Sequence, residues 1–314
     1  MISRVADHCF WFGRYVERTE ASSRMLAAAA SLALDAELPP ENVWGPLIVV
    51  AGEETSFAGA ADGEVVQRYL VWDEDNGMSL ARSVIGARWN ARSIREVLSH
   101  EAWEAVNELH LWMRGTVAPA TYTNHRDEFY THVRRSTQLV LGLLRSTMLH
   151  DEPLDFIWLG VLLERVSQTA RMLDVHHHAF TQLPRRHEVV ETALWLSLLR
   201  ALSGSEAYLK RAAGRVSSEG VARFLVSEKA FPRSIAYCVH SAYDRLCDIR
   251  PPDQHALPGG AALERLRILD TWVTAQQPTG AGVHDLLTHV VDEVHEICGT
   301  LGVELLGAAP ATGA

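Results

Sequence analysis

The chain has 314 residues, 47% of them hydrophobic and 22% charged, enough apolar material for one large core or two small ones. Asp and Glu number 39 against 29 Lys and Arg, a formal charge of −10, and both nucleic acids and anionic membranes call for the opposite sign. The four cysteines (Cys9, Cys238, Cys247, Cys298) form no C-x-x-C pair and read as small core residues of a reducing compartment.

Helix signals run from end to end. Apolar residues recur at spacings of three and four within stretches rich in Ala, Leu, Arg and Glu, and alternating runs are scarce. In chain order, helices are expected at about 3–35, 42–59, 62–72, 78–99, 101–115, 125–150, 153–181, 188–213, 218–227, 231–247, 260–276 and 281–306. Pro39-Pro40, Pro184, Pro251-Pro252, Pro258-Gly259-Gly260 and Pro278 mark breaks between them. LIVV at 47–50 reads as a buried helix turn, and Ser99 as a helix start. The N-terminal segment, MISRVADHCFWFGRYVERTE, is charged throughout and has no signal-peptide core. No uncharged apolar run approaches the ~18 residues of a membrane span. The expectation is an all-α protein of the cytoplasm.

The sequence also repeats itself. FWFGRYVERTEASSRML at 10–26 aligns without a gap to IWLGVLLERVSQTARML at 157–173, with Trp11/Trp158, Gly13/Gly160, Glu17/Glu164, Arg18/Arg165, Arg24/Arg171, Met25/Met172 and Leu26/Leu173 identical. Further along, RYLV at 68–71 matches RFLV at 223–226, ARSV at 81–84 matches PRSI at 232–235, and THV at 131–133 matches THV at 288–290. The expected organisation is a multi-helix bundle of two tandem repeats, 1–150 and 151–306, packed about a pseudo-twofold axis as one globular unit, with 307–314 a flexible tail.

On a helix, Phe10, Glu17 and Arg24 form one stripe, and Trp11, Arg18 and Met25 the next. The second copy sets Ile157, Glu164 and Arg171 beside Trp158, Arg165 and Met172. Glycine inside a helix costs roughly 0.5–1 kcal/mol against alanine, so Gly13 and Gly160 point to a close helix crossing that buries the neighbouring charges. Two readings stand side by side. The charges form a structural ion-pair network, or they line a pocket for an anionic ligand, a task suited to arginine's planar fork. A second constellation, Arg88, Arg92 and Arg95 with Asn90 between them, is either a solvated basic face or a contribution of Arg88 and Arg92 to the same pocket.

Taken together, the N-terminal W-F-G-R-Y-x-E-R, the central R-x-N-A-R-S-I-R-E, the later L-G-x-x-L-E-R and the F-P-R-S-I segment resemble the alpha-E family of bacterial all-helical proteins. The resemblance runs from about residue 2 to 247. It implies two partners, an ATP-grasp-type ligase and a transglutaminase-like protein, in a system that makes or attaches a small peptide through amide bonds. The family's motif residues fall on Glu17, Arg18, Arg88, Asn90, Arg92, Glu164, Arg165 and Arg233. The second copy departs from the pattern, with Val161 where the first has Arg14, which points to a second half of the site that is weaker or purely structural.

Other chemistries find little footing. No pair of Glu-x-x-His motifs is present for a di-metal bundle, and three adjacent histidines (His176, His177, His178) cannot converge on one ion from a single helix. His289, Asp292, Glu293 and Glu296 share a face of the last helix, more simply a solvated acidic face than a divalent site. There is no P-loop, no G-x-G-x-x-G after a strand and no G-x-S-x-G elbow, so no metal, no cofactor and no nucleotide is expected. Three functions remain. The first is a binding or scaffold component of the ligase system, with Glu17, Arg18, Arg24, Arg88, Asn90, Arg92, Glu164, Arg165, Arg171 and Arg233 around a small peptide or amino-acid ligand. The second is a stand-alone enzyme with Glu17 or Glu164 as general base, and the third a purely structural partner-interaction protein.

Overall fold

The computed structural model describes residues 1–35, 38–181, 188–212, 215–280 and 282–309, and the side chains of 35 and 178–190 lie outside that description. These residues form helices and no strand. In chain order they are α1 (Ser3–Asp35), α2 (Pro40–Ala51), α3 (Gly63–Trp72), α4 (Leu80–Ser93), α5 (His100–Arg114), α6 (Val117–Asn124) and α7 (Arg126–Thr147). There follow α8 (Glu152–Thr181), α9 (Glu188–Ala201), α10 (Ser205–Arg211), α11 (Ser218–Ser227), α12 (Ile235–Ile249), α13 (Gly260–Ala275) and α14 (Gly282–Glu304). The all-α expectation holds.

Local chemistry sets many of the boundaries. Asp62, Ser79, Ser99, Ser217 and Ser234 each accept a backbone N–H of the first turn that follows, beginning α3, α4, α5, α11 and α12. LIVV lies inside α2, with Leu47, Ile48 and Val50 buried. The helix expected at 42–59 stops at Ala51, because Gly52 takes a left-handed conformation (φ 71°) and its N–H closes the last turn. The helix expected at 188–213 is divided at Ser203, a non-glycine residue at φ 55°, followed by Gly204. α6 was not expected; its Pro119 lies in the first turn, where a proline loses no helical hydrogen bond. Of the expected tail, 310–314 lies outside the described residues.

α1 and α8 cross at the centre, and the other elements are arranged on them. α4 and α7 pack on α1; α12 and α14 pack on α8. The helix after each central one crosses over: α2 packs on α8 and α9 packs on α1, so elements from both sides of residue 150 interleave in one core. The crossing is close because it is made on glycine. A Cβ on Gly13 would overlap the carbonyl oxygen of Ile157, and one on Gly160 would overlap that of Phe10. Among the described residues no helix is long and apolar enough to cross a membrane.

Candidate functional site

At the crossing each central helix offers a Glu-Arg pair to the other. Arg165 donates to Glu17 through Nε (3.0 Å to Oε1) and Nη2 (2.6 Å to Oε2). Arg18 donates to Glu164 in the same forked manner, at 2.7 and 3.0 Å. Neither carboxylate is left to a single partner. Glu17 also accepts Arg233 Nη1 at 2.7 Å, and Glu164 accepts Arg14 Nε at 2.8 Å and Gln168 Nε2 at 3.2 Å. Arg233 bridges on to Glu20 (2.7 Å), which is gripped in turn by Arg24 one helical turn away. Both motif glutamates are buried, Glu17 at 0% exposure and Glu164 at 2%.

Arg233 arrives from outside the central pair. Its backbone lies between α11 and α12, where two side chains of α8 hold the segment: Arg165 Nη1 donates to Pro232 O at 3.0 Å and Thr169 Oγ1 to Arg233 O at 3.0 Å. Ser234 caps α12 and donates to Glu228 O at 2.6 Å, which pins the other side. α12 therefore begins at Ile235 rather than at 231, and the loop so formed is what points the guanidinium inward.

Burial alone would raise a carboxyl's pKa, but the guanidiniums of Arg165 and Arg233 outweigh it and bring Glu17 down to about 2. Arg18 and Arg14 likewise overcome burial and hold Glu164 far below the usual carboxylate range. Arg165, destabilised by burial but facing Glu17, stays charged with its pKa raised. Cys238, beside Arg165, is pushed up to about 12 by burial and stays a thiol. The arrangement is a closed ion-pair core: carboxylates locked as anions, buried, and each accepting three or more fixed donors.

The expected site residues divide accordingly. Glu17, Arg18, Arg24, Glu164, Arg165 and Arg233 are brought together. Arg88 is turned away, with Nε donating to Asn107 at 2.9 Å and the guanidinium 5.9 Å from the Trp103 ring. Arg92 is exposed, and Arg95 lies beyond the end of α4, packed over Trp103 at 4.9 Å. Asn90 is buried against His8 Nδ1 (2.9 Å) and Gly86 O. Arg171 is half-buried near Gly52 and faces no carboxylate among the described residues, since Ser167 precedes it by four where Glu20 precedes Arg24. Arg14, Glu20 and Gln168 join the cluster without having been among the expected site residues. Their signal was a spacing of four: Arg14 to Arg18, Glu20 to Arg24, Glu164 to Gln168. Val161, which aligns with Arg14, is buried in the core, and Arg14 reaches across the crossing to serve Glu164, a role for which Arg233 is recruited on Glu17.

Two clefts open beside the crossing. One, of about 350 Å³, lies among α7, α8 and α12, with Arg165 and Pro232 in its wall and Arg145, Tyr237, Ser241 and Arg245 around it. Arg145 lies over the Trp158 ring at 4.4 Å, and Arg245 pairs with Asp155 at 2.7 Å. The other, of about 470 Å³, lies between α1 and α4 and includes Trp11, Tyr15, Arg82 and Asn90. Among the described residues no group of three His, Cys, Asp or Glu is placed to hold a metal ion. Glu293 and Glu296 pair instead with Arg265, His289 packs on Trp272, and the side chain of His178 lies outside the description.

Fold and crossing thus define an all-helical protein knitted at its centre by reciprocal Glu-Arg pairs. The chain belongs to the Alpha-E family, described as a predicted alpha-helical domain with a conserved ER motif, which matches residues 1–304. Glu17-Arg18 and Glu164-Arg165 are Glu-Arg dipeptides at the crossing, whereas Glu264-Arg265 lies on the surface helix α13. The chain is similar to an uncharacterized protein of Mycobacterium bovis and to two of Mycobacterium tuberculosis, each 26% identical over 255 residues. Those matches cover 74% of this chain but 28% of each relative, so the chain spans less than a third of their length. No solved structure matches it.

Proposed function

We propose that this protein is a binding and scaffold component that works beside a separate ATP-grasp-type ligase and a transglutaminase-like protein in the formation of peptide or amide bonds. The observation that carries this reading is the closure of the Glu/Arg core. A general base needs a pKa near the working pH and a lone pair facing substrate. Glu17 and Glu164 have neither, held as anions by two guanidiniums each. Their chemistry is that of a clasp on two helices, which supports a scaffold over a stand-alone enzyme.

The ligand of this scaffold is a substrate or carrier peptide bound through its carboxylate. Its place is the cleft among α7, α8 and α12, where Arg145 lies over Trp158 and pairs with no carboxylate among the described residues, while Tyr237 and Ser241 offer hydroxyls. Guanidinium on an aromatic face is pre-oriented for a carboxylate. Calorimetry with an N-acetylated tripeptide and with its C-terminal amide tests this. The acid is expected to bind at least about tenfold more tightly than the amide, with that preference lost in Arg145→Ala. Full preference in the variant would remove the cleft from the reading. Co-purification with the ligase that survives the loss of Arg145 and Arg245 together favours the purely structural alternative.

A further inference from the structure

The arginines at matching places in the two halves of the sequence are used differently. Arg82 of ARSV and Arg233 of PRSI align, yet only Arg233 is drawn into the core. Arg82 lies within the first turn of α4, which Ser79 starts ahead of it, so the helix carries its side chain outward. Nor does a carboxylate await it inside. Glu164 is already held by Arg14, Arg18 and Gln168, and the place matching Glu20 is Ser167. Arg82 is exposed and pairs with no carboxylate among the described residues.

It stands at the cleft between α1 and α4, whose other members suit one kind of ligand. Trp11, Tyr15 and Trp89 contribute aromatic surface, and Trp89 is 59% exposed. Trp89 is not loose. His8 meets its ring edge-on at 4.8 Å, and His8 is fixed by Asn90 at 2.9 Å. Tyr15 lies against α4 at Gly86, where a Cβ would come within 2.8 Å of the ring. Asp7 completes the set. Burial raises its carboxyl above the usual carboxylate range, offset in part by His8 and by a hydrogen bond with Trp11. A partly desolvated carboxylate gains much from an incoming cation.

We propose that this cleft binds a free α-amino acid with an aromatic side chain, its carboxylate on Arg82, its ammonium on Asp7 and its ring among Trp11, Tyr15 and Trp89. The charges discriminate. A phosphate or simple carboxylate meets Asp7 with the wrong sign, and a simple cation meets Arg82 with the wrong sign. A zwitterion satisfies both, and ring-on-ring contact supplies the apolar share. The volume is that of a small-molecule site, and no lining residue is shared with the cleft beside Arg165.

Titration of the full chain with L-phenylalanine, followed by heat and by tryptophan fluorescence, is expected to saturate. L-Phenylalaninamide, lacking the carboxylate, and N-acetyl-L-phenylalanine, lacking the ammonium, are each expected to bind about tenfold more weakly or worse. Arg82→Ala and Trp89→Ala replace exposed side chains, so the melting temperature is expected to hold while L-phenylalanine binding falls by a similar factor. Arg145→Ala leaves it unchanged, which separates this site from the peptide cleft. Absence of saturable binding, equal binding of the amide, or full affinity in Arg82→Ala overturns the proposal.

Discussion

Arg165 grips both carboxylate oxygens of Glu17 across 148 residues of chain, at 3.0 and 2.6 Å. Removing one partner of such a pair strands a charge in a dry interior. Arg165→Ala is therefore expected to cost about 3–5 kcal/mol of stability, read as a lower urea midpoint with an unchanged slope. Replacing a surface partner such as Arg223, whose pairing with Glu219 is exposed, is expected to cost no more than about 0.5 kcal/mol.

The two crossing glycines predict a sharp contrast with their neighbours. Gly13→Ala and Gly160→Ala force a methyl group into backbone of the facing helix, and α1 and α8 must separate. The expected loss is at least about 3 kcal/mol, at the upper end of overpacking costs, because backbone cannot rotate aside. Gly142→Ala in α7 and Gly299→Ala in α14 have open space around the new methyl and are expected to stabilise by about 0.5–1 kcal/mol. Equal melting temperatures for all four variants would contradict the close crossing.

Acid should loosen the clasp in a defined window. Glu17 has a folded pKa of about 2 against an ordinary 4.5, so the stability it contributes is fully present above about pH 4.5 and is lost as pH falls toward 2. Glu164, also depressed, acts in the same direction. The share of Glu17 is of the order of 3 kcal/mol. Urea midpoints measured from pH 5 to pH 2.5 are expected to fall in the parent and to fall less steeply in Glu17→Gln. A parallel decline in both would exclude the carboxylate as the source.

Two aligned serines are predicted to respond differently. Ser234 caps α12 and ties the loop that presents Arg233, so Ser234→Ala is expected to cost about 1–2 kcal/mol. Ser83, its counterpart in ARSV, lies buried inside α4, and its hydroxyl has no partner among the described residues. Ser83→Ala is expected to be neutral or slightly stabilising, since it removes a buried hydroxyl that makes no bond. Thermal unfolding of the two variants side by side checks the difference.

Helix content, most helix starts and the close crossing were legible in the chain itself, because each follows from neighbours within a few turns. Apolar spacing reports a buried face, a serine before a periodic run reports a cap, and the glycine shared by the two Glu-Arg stretches reports a near neighbour. The Glu-Arg stripes were visible for the same reason. Which arginine meets which glutamate was not. Arg14 serves Glu164 from 150 residues away and Arg233 serves Glu17 from 216, and a seven-residue spacing names a face without naming what covers it. Arg88, Asn90 and Arg92 have the composition of the core cluster and sit elsewhere, because the turn at which α4 starts and the direction of its faces are decided by packing against α1 and α5. Local order came from the chain; the closing of the charges on one another came only when two distant helices were brought to within a glycine's width.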